Sequence, residues 1–296
     1  MIDMVYTWVD GDDLNHQRLA QTYSKVKRDL IPERTRDIYQ MMRYSLRSVE
    51  MYAPWINKIY IVTMRPQKPA WLNTNHPNIQ IVHHDEVFED HTYLPTFNSN
   101  VIESYLHRIP NLAEKFIYMN DDFLFGSRIL ESDFVESGRL KIYGTVMGEK
   151  IPFVFENIWN DLVSKLQHTP LIISKSFYQE MFDVWAKQAH ETRLRKFRTR
   201  KDLMPHGLYR YYFLSKKAEY VQAVPMWEYL KFYTFHKIMN DLPSQERAFQ
   251  KIRQKRPKFL CLNDDQGDDP NGAVVRLVKS FLNEWYPNPS EYEVSA

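Results

Sequence analysis

One cysteine, Cys261, is all that the 296 residues contain. A lone thiol excludes an intramolecular disulfide and any multi-cysteine metal site, and it fits a reducing compartment. No apolar run approaches the roughly 18 residues that span a bilayer. The opening MIDMVYTWVDGDD carries acids early and lacks the positive, apolar and small-residue order of a secretory signal, so a cytoplasmic protein is expected. Charge of one sign is missing too: 39 Lys and Arg against 37 Asp and Glu leave +2, which gives nucleic acid no whole-molecule attraction. The chain has no GxxxxGK[ST], GxGxxG or GxSxG, so P-loop, dinucleotide-binding and serine-hydrolase readings lack their motifs. Ten histidines include no HExxH, and His83 and His84 read as strand-end residues rather than ligands.

What is present is core material: 44% hydrophobic and 15% aromatic residues mark a folded protein of one large domain, or a core with a sizeable insertion. Residues 4–9, 58–63 and 79–83 are β-branched or aromatic runs that read as strands. Between them, residues 15–30 read as a polar helix and residues 37–51 carry apolar side chains at helical spacing. A short helical or loop segment starts near Pro69. A helix over 99–107 precedes a strand that ends at Asp122. This alternation predicts an α/β fold with a mostly parallel sheet. From about residue 152 helical patterns dominate, over 155–166, 174–190, 209–217, 227–239 and 243–253. A strand over 258–264 and a helix over 273–285 close the chain. The reading is an α/β core of residues 1–150 and 255–296 with a mainly helical insertion, 151–254.

Three apolar stretches end in carboxylates: WVDGDD, IYMNDD and CLNDD. In open sheets, ligands bind outside the carboxyl ends of strands, so these ends have reason to converge as an acidic rim for a hard divalent cation, although acids are also ordinary turn residues. The cationic run of residues 193–201, RLRKFRTRK, is most simply a solvated face. Its arginines also supply planar, two-pronged donors for a diphosphate. Acids and arginines without a cysteine cluster point to phosphate chemistry with a hard cation.

The blocks IDMVYTWVDGDD, RYSLRSVEMYAPWINKIYIVT, LPTFNSNVIESYLHRIPNLAEKFIYMNDDFLFG and PKFLCLNDD resemble, in order, the four blocks of the Stealth family. With the segments between them they cover almost the whole chain. That family includes bacterial capsule and exopolysaccharide sugar-phosphate transferases and the catalytic part of the eukaryotic N-acetylglucosamine-1-phosphotransferase. The resemblance implies a glycosyltransferase-A-like core and a single catalytic domain, 1–296. It implies transfer of a sugar 1-phosphate, N-acetylglucosamine 1-phosphate first among candidates, from a UDP-sugar to a hydroxyl of a sugar or glycan acceptor with release of UMP. Magnesium or manganese is the expected cofactor.

By the same resemblance, Tyr6, Thr7, Trp8, Asp10 and Gly11 border the nucleotide. Arg43, Ser45, Arg47, Asn98, Ser99 and Asp202 complete the substrate-binding set. Glu103, Asp122, His168 and Arg198 are the catalytic candidates, with either Glu103 or His168 as the base. Asp121, Asp122, Asn263 and Asp264 are the metal candidates. Plainer readings stand beside these: Trp8 as core, Arg43 and Arg47 as a solvated face, Glu103 as a surface acid, His168 as a turn residue. A metal-dependent glycosyltransferase that releases UDP, or a non-catalytic carbohydrate-binding or assembly protein, are the competing functions. The large modules that eukaryotic relatives carry between the blocks are nearly absent, which favours a glycan acceptor over a protein. Expected partners are a UDP-sugar and its acceptor, with no nucleic acid and no transmembrane segment. The expected location is the cytoplasm, or the inner-membrane periphery beside polysaccharide-assembly machinery. A homodimer is left open.

Overall fold

The computed structural model describes residues 1–31, 35–143 and 168–294. In chain order the strands are β1 (Asp3–Thr7), β2 (Ile59–Thr63), β3 (Ile79–His83), β4 (Lys115–Asn120), β5 (Phe123–Phe125), β6 (Val135–Glu136), β7 (Arg139–Ile142), β8 (Leu171–Ser174), β9 (Val221–Ala223), β10 (Tyr233–Ile238) and β11 (Phe259–Asp264). The helices are α1 (Leu14–Tyr23), α2 (Met41–Tyr52), α3 (His84–Val87), α4 (Ser99–Glu103), α5 (Lys175–Val184), α6 (Ala186–Arg193), α7 (Pro205–Lys216), α8 (Met226–Phe232), α9 (Leu242–Lys255) and α10 (Gly272–Trp285).

The central sheet has the order β3-β2-β1-β4-β8. Its first four strands are parallel and β8 runs antiparallel to β4. The chain is therefore α/β with a mostly parallel central sheet. β1 and β2 are almost wholly buried, which explains their near-continuous apolar sequence: a parallel strand covered on both faces has no polar side to show. A second sheet, β10-β11-β5, pairs β10 and β11 in parallel and β11 and β5 antiparallel. A small third sheet has the order β6-β7-β9.

β4 and β5 belong to different sheets, and only Asp121 and Asp122 separate them. The edge of β5 away from β11 is covered by α2 rather than by a strand. Ser45 Oγ donates to the Phe123 carbonyl at 2.5 Å, and the Phe125 N–H donates to Ser48 Oγ at 3.0 Å. Tyr286, just past α10, donates its hydroxyl to the Phe125 carbonyl. Side-chain hydroxyls thus satisfy backbone groups that a missing strand would leave unpaired.

Several boundaries differ from the sequence reading. The 15–30 helix stops at Tyr23, and the 37–51 helix starts at Met41 because the Asp37 carboxylate accepts the Met41 N–H. Residues 99–107 give only α4 before a 3-10 turn, Leu106–Arg108. Trp185 divides 174–190 into α5 and α6. The 227–239 pattern is helical only to Phe232. Tyr233, Thr234 and Phe235 then join β11, where aromatic and β-branched side chains suit a half-buried strand better than another helical turn. The segment read as mainly helical, 151–254, therefore lends β8 to the central sheet and β10 to the second. The helix expected over 155–166 lies outside the described residues.

Arg43 and Arg47, four apart on α2, are neither substrate-facing nor a solvated face. Both grip Glu293: Arg43 Nε at 2.5 Å, Arg47 Nε at 2.6 Å and Arg47 Nη2 at 2.9 Å, while Arg47 Nη1 also donates to the Tyr286 carbonyl. Burial alone would raise the Glu293 carboxyl, but Arg47, the Ser290 N–H and Arg43 outweigh it and hold it at about 2, below its ordinary 4.5. A depressed carboxylate contributes stability above its unfolded value and loses it as pH falls through the folded one. This contribution should therefore decline between about pH 4.5 and 2. Glu293→Gln is expected to cost about 3–5 kcal/mol, since it strands the buried Arg47 charge. Chemical denaturation at pH 7 checks the loss, and the gap to the parent should narrow toward pH 2.

Candidate active site

Four elements of the two sheets end on one cavity of about 680 Å³. β1 brings Thr7 and Trp8, β4 brings Asn120, and the turn to β5 brings Asp121 and Asp122. β11 brings Asn263 and Asp264. β1 has β2 on one side and β4 on the other, so the cavity opens at the carboxyl edge where the strand order reverses, the usual ligand position in such sheets. Ser99 and Glu103 of α4, with His168 and Arg198, complete the expected set. Eleven of the residues singled out from the sequence meet there: Thr7, Trp8, Gly11, Ser99, Glu103, Asp121, Asp122, His168, Arg198, Asn263 and Asp264.

The acid pair is electrostatically uncomfortable. Burial pushes Asp121 well above the usual carboxylate range, and the neighbouring charges of Asp122 and Asp37 push the same way. Burial also raises Asp122, against the pull of His168, Asn263 and Cys261. Asn263 Nδ2 donates to Asp122 Oδ2 at 3.2 Å, and Cys261 Sγ stands 3.4 Å from the same oxygen. The other oxygen, Asp122 Oδ1, is buried without a hydrogen-bond partner. Such a group costs folding energy unless a ligand uses it.

Asp264 has a different employment. Arg36 embraces it through Nε at 2.6 Å and Nη2 at 2.8 Å, so the residue read as a metal ligand already has a fixed counter-charge. Asn263 presents its amide N–H groups to Asp122 rather than its carbonyl oxygen. Of the four metal candidates, Asp264 is thus paired with Arg36 and Asn263 is turned toward Asp122, while Asp122 Oδ1 has no hydrogen-bond partner.

The cationic run is sorted by its contacts. Arg193 lies over the Tyr105 ring, 4.2 Å from its centroid, and donates to Ser104. Lys196 donates to the carbonyls of Thr92, Tyr93 and Leu94. Arg195 pairs with Asp202 at 3.2 Å. Arg198, which faces the cavity, is exposed. Asn98 staples this loop to α4: it caps the helix by accepting from the Asn100 N–H, and its amide donates to Asp202 Oδ2 at 2.8 Å and to the Phe197 carbonyl at 3.3 Å. Asp202 in turn gathers the N–H and hydroxyl of Thr199, both at 2.8 Å. Asn98 and Asp202, read as substrate-binding, instead position the arginine loop and do not line the cavity.

Three further residues are corrected in the same way. Tyr6 is fully buried with its hydroxyl 2.8 Å from Ser45 Oγ, and both belong to the brace behind β5. Asp10 turns its carboxylate to the Asp12 N–H and exchanges backbone contacts with Gln67. Gly11 lies where its N–H donates to the Thr35 carbonyl at 2.9 Å, and a Cβ there would stand 2.4 Å from that oxygen. Glycine is required for this close approach.

Sequence reasoning missed Arg36, Asp37, His16 and His84, all on the cavity wall. From the sequence Asp37 reads as the start of a helix; it instead accepts the N–H of Met41, where the helix starts, and its carboxyl is pushed up to about 6. Burial is the main cause; the charges of Asp10 and Asp12 add to it, and the Met41 N–H and the Trp8 indole oppose it. Burial holds His84 down to about 4, with the neighbouring His83 acting the same way. No local pattern marks these positions.

Fold and site together define an α/β protein whose cavity, at the carboxyl edge of a mostly parallel sheet, is lined by a half-buried acid pair together with an arginine, a histidine and a glutamate. Sequence models of Stealth protein conserved region 1 match residues 2–25, conserved region 2 residues 34–142, conserved region 3 residues 167–215 and conserved region 4 residues 250–296. The chain belongs to the Stealth family. It is 32% identical over 319 residues to an exopolysaccharide phosphotransferase of Streptomyces coelicolor, covering 99% of this chain and 52% of that one. It is 32% identical to the exopolysaccharide phosphotransferase CpsY of Mycobacterium tuberculosis, with coverage of 99% and 58%. The capsular polysaccharide phosphotransferase SacB of Neisseria meningitidis serogroup A is also 32% identical, with coverage of 99% and 57%. The chain spans about half the length of these relatives. Among solved structures, the galactosyltransferase LgtC overlaps at a TM-score of 0.47 with 11% identity, covering 97% of this chain and 95% of that one. The glycosyltransferase GlyE of Streptococcus pneumoniae overlaps at 0.44 with 11% identity, covering 98% and 66%. Overlaps this loose carry no argument.

Two substitutions check the site's construction. Gly11→Ala should cost about 1–3 kcal/mol, the usual range for overpacking, because the new Cβ collides with backbone. Thermal denaturation would show the loss, and a Tm equal to the parent's would refute the close approach. Asp37→Asn should act oppositely. A carboxyl raised from 3.8 to about 6 disfavours the folded state increasingly as pH climbs through that window. The asparagine variant should thus gain Tm relative to the parent at pH 8, with the gain fading below pH 4.

Proposed function

We propose that this chain transfers a sugar 1-phosphate from a UDP-sugar to a hydroxyl of a sugar or glycan acceptor, with UDP-N-acetylglucosamine the first donor to test. The observation that carries the reading is one cavity lined together by the half-buried pair Asp121 and Asp122 and by Arg198, His168 and Glu103. The relatives' names, exopolysaccharide and capsular polysaccharide phosphotransferase, supply the reaction class and the glycan setting.

The reaction is an in-line displacement at the β-phosphorus. The acceptor oxygen bonds to that phosphorus as the bond from it to the oxygen bridging the two phosphates breaks. UMP leaves with the bridging oxygen, and the acceptor's proton passes to Glu103 or His168. Arg198 offers a planar pair of N–H donors to the charge on the phosphoryl oxygens. Asn98 and Asp202 hold its loop at the cavity. Trp8 and Thr7, at the end of β1, border the nucleoside.

A divalent cation fits the acid pair on the chemistry of its donors. Asp122 Oδ1 is a buried oxygen without a partner, and Asp121 is pressed toward its neutral form by burial and like charge. Among the described residues no set of three His, Cys, Asp or Glu side chains gathers for a metal. That suits magnesium, which characteristically takes one or two carboxylates and completes its shell with phosphate oxygens and water. Bound, it would neutralise diphosphate charge and brace the departing phosphate.

Asp122→Asn and Arg198→Ala are each expected to lower turnover by about 10²–10³, the scale for losing one preorganised electrostatic contact. Product analysis by ³¹P NMR should show UMP and a phosphodiester; UDP with a glycosidic product would make the protein a glycosyltransferase instead. Absence of any product and of UDP-sugar binding would leave a carbohydrate-binding or assembly role. The cation has a test independent of turnover. Magnesium should raise the Tm of the parent and leave that of Asp121→Asn/Asp122→Asn unmoved.

A further inference from the structure

Glu103 has a partner far along the chain. His206 Nδ1 stands 2.7 Å from Glu103 Oε2, poorly aligned for a hydrogen bond but well within ion-pairing distance. Both side chains are largely buried, with 18% and 4% exposure. The neighbours fix each of them. Pro205 opens α7 and places His206 in the first turn, while the ring of Tyr118 on β4 lies 4.8 Å from the imidazole, tilted by 44°. The Tyr118 hydroxyl is tied in turn to Thr7 Oγ1 at 2.8 Å. Tyr178 donates to the Glu103 carbonyl. Glu103 lines the cavity and His206 does not, so the imidazole stands behind the carboxylate relative to substrate. A buried carboxylate supported from behind by an imidazole is held in one orientation, as a group that must meet a reacting hydroxyl requires.

We propose that His206 is a positioning residue that fixes the Glu103 carboxylate toward the acceptor hydroxyl, so that Glu103 receives its proton. The inference rests on the sugar-phosphate transfer reading above. It also divides the two base candidates: His168 acts on Asp122 and has its ring beside Phe123 and Phe235, on the acid-pair side of the cavity. Catalytic contacts in an unliganded site are often misaligned and tighten with substrate, which accounts for the geometry of the pair.

The test compares the full chain with His206→Ala, His206→Asn, Glu103→Gln and the double variant His206→Ala/Glu103→Gln. Each is assayed for kcat and donor KM with UDP-N-acetylglucosamine and a sugar acceptor, and circular dichroism confirms folding. His206→Ala should lose about 10–100-fold in kcat with donor KM within about threefold, the signature of an interaction made in the transition state. His206→Asn, whose amide N–H can replace Nδ1, should recover most of that loss and also covers the case in which the alanine variant does not fold. The double variant should be no slower than Glu103→Gln, because residues acting as one unit are not additive. Multiplied effects in the double variant, or a folded His206→Ala with the parent's kcat, would overturn the proposal while leaving the transferase reading intact. A parent that transfers no sugar phosphate would sink the transferase reading itself, and this inference with it.

Discussion

Two adjacent, half-buried carboxylates are the constraint around which this structure is arranged. Asp121 and Asp122 occupy the two-residue turn between a strand of the central sheet and a strand of the second sheet. Burial raises both; the charges of Asp122 and Asp37 add to it at Asp121, while His168, Asn263 and Cys261 oppose it at Asp122. The folded chain must therefore hold the turn rigidly from outside. It does so through β11 on one edge of β5, and through Ser45, Ser48 and Tyr286 on the other. Arg47 and Arg43 anchor the same helix, α2, to Glu293 near the end of the described chain. Those arginines lie outside the cavity, yet they help to hold the helix against which the acids are set.

The arginine loop is organised by the same economy of contacts. Three of its six cations are engaged locally, Arg193 by an aromatic ring, Arg195 by Asp202 and Lys196 by three carbonyls. Arg198 is the member that the fold points at the cavity. A loop held this firmly can present a guanidinium to phosphate with little further ordering on binding, which is what electrostatic preorganisation demands. The stapling residue, Asn98, is fully buried and is itself the N-cap of the helix that carries Glu103. One side chain thus ties the loop that carries a cation to the helix that carries a carboxylate of the same cavity.

Strands and acidic strand ends were legible in the sequence because they are local signals: unbroken apolar runs, then aspartate. The convergence of Asp122 with Asn263 could be anticipated from the rule that ligands gather at strand carboxyl ends. What could not be read was the division of labour among chemically similar residues. Asp122 and Asp264 both end strands beside an asparagine or aspartate, but only the latter meets Arg36, 228 residues away in sequence. From the sequence Arg43 and Arg47 read as substrate-binding, with a solvated face as the plainer alternative, because their partner, Glu293, is equally remote. His206 had no motif at all, since the role proposed for it depends on the fold bringing the start of α7 to Glu103 and to Tyr118 of β4. The change from helix to strand at Tyr233 followed from pairing with β11, a tertiary override of a helical pattern.

The electrostatics also constrain how substrate could enter. A nucleotide diphosphate brought to this cavity alone would add negative charge beside Asp121, Asp122 and Asp37, three carboxylates that already repel one another. Arg36 is held by Asp264, and Arg198 is the other arginine among the described lining residues. One guanidinium cannot offset both the acids and a diphosphate, so a donor without a metal would bind against the field. In the proposed reaction, cation and donor are then best taken up together, each lowering the cost of the other. Such mutual dependence is a linkage between two ligands and is reciprocal by thermodynamic necessity. In that proposal the raised carboxyls are the reason for it: burial leaves the acid pair short of positive charge, and a bound cation would supply it.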